Sequence, residues 1–171
     1  MPDNWYMILV AALIPTLVGA VWYHPKVLGT AWMKTNKFEA DDLQGTNMAV
    51  IFGVSLLLSA MLAVTIMGVA IHQGAIYQSM LPRGGAEWSE QAMNDFKMMM
   101  ERYGNNYRTF GHGALHGFVF SLFAVLPLIG IIALFERRGW KYISIHVGYW
   151  MISLVLMGGL LCKTLHWSMP F

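Results

Sequence analysis

Residues 110–135 read FGHGALHGFVFSLFAVLPLIGIIALF, without a single Asp, Glu, Lys or Arg. A hydrocarbon core about 30 Å thick takes roughly 20 apolar residues of helix, and this run exceeds that. Lipid offers backbone N–H and C=O groups no partners, so such a run crosses as a helix that satisfies them internally. It shows none of the alternation expected of a membrane strand. Three more stretches share the property, 5–23, 47–71 and 142–162. Every charged side chain lies outside these four runs, and charged residues make up only 12% of the chain, against about 25% in a soluble domain. That distribution excludes a soluble globular domain, a disordered chain, a disulfide scaffold and a nucleic-acid binder.

The expected fold is an all-α membrane protein: one integral membrane domain, 1–171, forming a four-transmembrane-helix bundle. Its spans fall at about 5–23, 47–71, 110–135 and 142–166. Pro15 and Pro127 lie inside spans one and three; each removes a backbone donor and is expected to bend its helix. Trp5 and Tyr6 open span one, and Trp22 and Tyr23 close it. Trp140 and Tyr142 open span four, and Trp167 closes it, as interfacial aromatics do. The first run has no positive leader and ends in Trp22-Tyr23-His24-Pro25 rather than small residues, so it is expected to be a retained span and not a cleaved signal.

Four spans put 24–46 and 136–141 on one face, and the termini with 72–109 on the other. The first face carries Lys26, Lys34, Lys37, Arg137, Arg138 and Lys141; the second carries Arg83, Lys97, Arg102, Arg108 and Lys163 over a longer stretch. The positive-inside bias places both termini and 72–109 outside. Within that outer loop, Pro82-Arg83-Gly84-Gly85 signals a turn. Trp88, Met93, Phe96, Met100 and Tyr103 then recur at helical steps, with charged residues between them. The pattern predicts an amphipathic extramembrane helix capped by Ser89 and ended at Gly104-Asn105-Asn106. It either lies on the bilayer or closes over the bundle.

Six histidines are the most chemically pointed feature. His24 and His146 sort to the inner face; His72, His112, His116 and His166 sort to the outer one. His112 and His116 are four apart and share a helical face. Two imidazoles so placed can hold zinc or a similar transition metal, with further ligands from His72, His166, Glu101 or Asp95. The competing reading is hydrogen bonding between helices, or a proton relay. No His-Glu-x-x-His pattern, phosphate-binding loop or nucleophile elbow occurs. Lone Cys162 reads as a packed small residue. Lys163 reads as a cation snorkelling to the headgroups, or as half of an anion site with His166. Glu136-Arg137-Arg138 suits contact with anionic lipid. Gly113 and Gly117 have the spacing that lets helix backbones touch, within the bundle or in a homodimer.

The stretch Gly19-Ala-Val-Trp22-Tyr23-His-Pro25-Lys-Val-Leu-Gly29-Thr-Ala-Trp32 resembles the first-helix signature of a family of small bacterial membrane proteins, domain of unknown function 1761. Leu134-Phe135-Glu136-Arg137-Arg138, Gly148-Tyr149 and Met157-Gly158 carry the likeness into the last helix. The resemblance implies a four-helix protein of the bacterial cytoplasmic membrane and no particular activity. Physically, Pro25 ends the helix at His24, and Gly29 permits a tight corner.

Three functional readings follow. The first is a non-enzymatic accessory or self-associating membrane subunit, whose partners are membrane lipid and either a membrane protein or a second copy. The second is a metal- or small-ligand-binding protein using His112, His116, His72 and His166. The third is transport of a lipid or neutral solute.

Overall fold

The computed structural model describes residues 2–39, 41–43, 45–82, 84 and 86–166. Arg83 and Gly85 of the expected turn, and Trp167 at the end of span four, lie outside the described residues. Among those described there is no strand. Eight α-helices follow one another: α1 (Tyr6–Trp22), α2 (Thr30–Asn36), α3 (Met48–Ala70), α4 (Gln73–Met80), α5 (Glu90–Tyr103), α6 (Phe110–Phe120), α7 (Leu126–Phe135) and α8 (Trp140–Thr164).

Three helical stretches are long and apolar enough to cross a membrane: α3, the continuous run from α6 through α7, and α8. Span three is kept continuous by a π turn, Ser121–Val125, in which the Leu126 N–H reaches back to the Ser121 carbonyl. The wider turn stands directly before Pro127, which lacks an N–H and crowds the carbonyl four residues earlier.

The first span, expected over 5–23, is not matched by one helix of spanning length. Helix α1 has 17 residues, about 26 Å at 1.5 Å per residue, which is short of the apolar thickness. A 59° bend then joins it to Pro25–Asn36, and only the bent pair together is long enough to make a fourth span. The corner has a clear cause. His24 is extended, as a residue before proline must be, and its ring accepts the Lys26 N–H at 3.2 Å. The Gly29 N–H then bonds the His24 carbonyl at 3.0 Å. A Cβ on Gly29 would stand 2.2 Å from the Tyr23 carbonyl oxygen, so only glycine fits. The aromatic pair of the corner is turned inward to the protein. Trp22 Nε1 donates to the Ile145 carbonyl at 3.0 Å, and Tyr23 packs on Trp32 and Tyr149.

Helix α8 is the hub, half buried along its apolar length, whereas most of α3 and of the α6–α7 span faces outward. Ala11 of α1, Ala63, Ile66 and Ala70 of α3, and Leu154, Met157, Leu161 and Cys162 of α8 form the main core. Ala133 of α7 with Ile143 and Val147 of α8 forms a second cluster at the other end. Leu57, Leu58, Met61 and Phe123 stay exposed. That would be costly in water but suits a lipid-facing surface.

Helices α6 and α8 cross backbone to backbone. A Cβ on Gly113 would lie 2.0 Å from the Gly158 carbonyl oxygen, and one on Gly117 2.1 Å from that of Leu154. The glycine pair is therefore spent on packing within the chain. At this end of the bundle the chain ends are also tied together. The Asp3 N–H bonds the His166 carbonyl at 2.8 Å, and the Asn4 side chain bridges the Thr164 carbonyl and the His166 N–H.

The connection 72–109 holds two helices rather than the expected one. Helix α5 starts where Ser89 accepts the Ala92 N–H at 3.1 Å and stops at Gly104. Its buried Phe96 packs with Trp88 against Tyr77 of α4. Gln73 Nε2 ties the start of α4 to the Tyr103 and Asn106 carbonyls.

Candidate metal centre

Of the four histidines that the sequence sorts to one face, three meet. Helix α3 ends at Ala70, Ile71 is extended and buried, and His72 stands as the cap residue of α4. Helix α6 starts at a Thr109 cap, whose hydroxyl accepts the His112 N–H at 3.2 Å. It then presents His112 and His116 one turn apart, flanking Gly113. Because Gly113 and Gly117 lock α6 against α8, the rotation of α6 is set, and its two imidazoles face the end of α3.

His72 Nε2 and His112 Nε2 are 3.0 Å apart, and His112 Nε2 and His116 Nε2 are 3.1 Å apart. The ligating nitrogens all lie within 4.8 Å of one another. The rings stand nearly perpendicular, at 69° to 74°. His72 is exposed and the other two are half-buried.

Hydrogen bonding serves this arrangement poorly. A neutral imidazole nitrogen carries either one proton or one in-plane lone pair, so it makes one good hydrogen bond. His112 Nε2 has two close nitrogen neighbours, and whichever tautomer it adopts, one of them is left badly matched. A cation among the three would instead accept one lone pair from each. Zinc holds imidazole nitrogens at 2.0–2.1 Å in a tetrahedron, which separates them by about 3.3 Å. Two of the three separations, His72 to His112 and His112 to His116, already stand close to that value, and the third lies within 4.8 Å. Three neutral nitrogen ligands with a fourth position left to solvent is a donor set that zinc and similar first-row divalent ions accept.

The group comprises these three histidines alone among the described residues. His166 and Glu101, offered by the sequence as further ligands, line a different cavity of about 210 Å³ together with Gln73, Met100 and Arg108. His24 and His146 lie at the opposite end, where His146 packs on Tyr142 with ring centroids 4.3 Å apart. Lys163 is exposed on the last turn of α8.

The groups behind the site were not legible from the sequence. Tyr107, at φ 61°, lays its ring 5.1 Å from that of His112. The Arg108 guanidinium donates to the Leu165 carbonyl. Burial draws that guanidinium below its ordinary value, while the nearby Cys162 opposes the shift. Buried Cys162 bonds the Ala70 and Tyr107 carbonyls through Sγ, so the lone cysteine is a packing residue linking α8 to both walls of the site. Only their proximity in sequence to His72 and His112 could have suggested Tyr107, Arg108 or Ala70.

No curated protein and no solved structure matches the chain. A family model does match, over residues 6–162, and this is nearly the whole chain. Of the residues that carry the resemblance in the sequence, Trp22, Tyr23, Pro25 and Gly29 build the corner, and Gly158 lets α6 reach α8. The chain belongs to the family described as protein of unknown function (DUF1761).

Proposed function

We propose that this is a metal-binding integral membrane protein whose centre is His72, His112 and His116. The convergence of three Nε2 atoms from two packed helices carries the reading, because protons cannot satisfy all three and one divalent cation can. The bent pair Tyr6–Trp22 and Pro25–Asn36 serves as the first of four spans in a single-domain bundle. The balance of lysine and arginine favours both termini outside, which puts the metal centre at the outer face; the resemblance to small bacterial membrane proteins favours the bacterial cytoplasmic membrane. Exposed His72 leaves the fourth coordination position open to water or a small ligand. The site therefore suits capture or presentation of a divalent ion.

The test is metal content. Protein purified in mild detergent, dialysed against zinc and then washed free of it, is expected to retain one zinc per chain by elemental mass spectrometry. His112→Ala is expected to retain less than a tenth of that. Equal zinc in both would overturn the reading. A second reading, an accessory subunit in a larger membrane assembly, draws on the outer side of α3, where Gly53 has open space around it and Leu57 and Leu58 are exposed. That is room for a partner helix.

A further inference from the structure

At the end of the bundle opposite the histidines, α2 meets the short turn between α7 and α8. Thr35 and Lys37 face Glu136, Arg137, Arg138, Gly139, Lys141 and Tyr142 across a cleft of about 440 Å³. Four cations thus meet one carboxylate. Residues a hundred positions apart are held there by a specific bond, from the Arg138 guanidinium to the Thr35 carbonyl at 2.9 Å. Glu136 is engaged with Arg138 at 3.6 Å, and the same guanidinium stands 5.5 Å over the Tyr142 ring. Lys37, Arg137 and Lys141 are exposed around the cleft and make no ion pair among the described residues. Like charges gathered in one cleft repel unless an anion joins them.

The surroundings indicate which anion. Phe135 and Trp140, next to the charged turn on either side, are 86% and 74% exposed. They sit at the ends of the spanning helices, where an aromatic ring borders acyl chains and headgroups. A cationic cleft flanked by uncovered apolar rings matches a molecule with a charged head and apolar tails.

We infer that this cleft binds the phosphate headgroup of an anionic phospholipid, with Lys37, Arg137 and Lys141 on the phosphate and Phe135 and Trp140 against the chains. Arg138 holds the walls together through Thr35. The site is separate from the metal centre and independent of it.

The test is native mass spectrometry of the full chain in a non-ionic detergent, with phosphatidylglycerol, phosphatidylcholine or inorganic phosphate added. Lys37 and Arg137 both adopt positive φ, 60° and 56°, a region asparagine tolerates well. The double variant Lys37→Asn/Arg137→Asn therefore removes two charges with little backbone strain. The wild type is expected to bind phosphatidylglycerol in preference to phosphatidylcholine. The double variant is expected to lose roughly thirtyfold in that affinity, from the usual contribution of basic residues near anionic lipid. Lys163→Gln, at the other end, should bind as the wild type does. Should the double variant lose its thermal transition, Lys141→Gln takes its place, with about a fivefold loss expected. Equal binding of the two lipids, or unchanged affinity in the variants, would overturn the inference. So would displacement of the lipid by millimolar inorganic phosphate, which would mark a site for the free anion.

Discussion

Gly113→Ala tests the contact on which both the fold and the metal centre depend. The added Cβ would fall 2.0 Å from the Gly158 carbonyl oxygen and 2.5 Å from Cys162 Cβ. Ordinary van der Waals contact begins near 3.4 Å, so α6 and α8 must separate by about 1 Å or more. Backbone atoms cannot rotate away as the end of a flexible side chain can. Overpacking of this kind typically costs about 1–3 kcal/mol, and for a chain of this size that lowers Tm by about 3–10 °C. Gly53→Ala is the matched control, since nothing lies within 4 Å of its added Cβ. Alanine is also the better helix former by about 0.5–1 kcal/mol, so Tm should stay level or rise. Thermal unfolding in detergent, followed by tryptophan fluorescence, compares the two. Gly113→Ala should also weaken zinc retention, because His112 and His116 flank the displaced residue. Equal Tm for the two variants would refute the argument that backbone contact at Gly113 holds the bundle.

Zinc at a hundred times its Kd should stabilise the wild type by about 2.7 kcal/mol; His72→Ala and His116→Ala should abolish the gain in Tm, and His166→Ala should preserve it. Gly29→Ala places a Cβ 2.2 Å from the Tyr23 carbonyl oxygen and should destabilise by about 1–3 kcal/mol, read as a lower Tm and faster proteolysis within 24–46. Ser89→Ala removes the cap of α5 at a cost of about 1 kcal/mol, and hydrogen exchange should quicken over 90–94 while α8 is unchanged.

Much of the candidate site was legible one residue at a time. The four-residue step from His112 to His116 puts them on one face of any helix, whatever surrounds it. Ser89 and Gly104 bracket α5 because capping is local chemistry. What escaped was helix α4, whose short mixed sequence reads as a connection until Tyr77 packs against Trp88 and Phe96. The bend after α1 was half legible: Pro25 and Gly29 announced a corner, but the length of straight helix before it, and the inward turn of Trp22 and Tyr23, depend on the partners offered by α8.

Charge placement alone determined where the helices long and apolar enough to cross a membrane run, because an unpaired charge in hydrocarbon is too costly to misplace. Only the tertiary structure decided which histidines form a site. His72 is forty residues from His112, and nothing in local sequence ranks it above His166. The choice follows from α6 pressing its glycines onto Gly158 and Leu154 of α8 while α3 packs alongside. That arrangement is set by long-range van der Waals contact between helices, which no short stretch of sequence encodes.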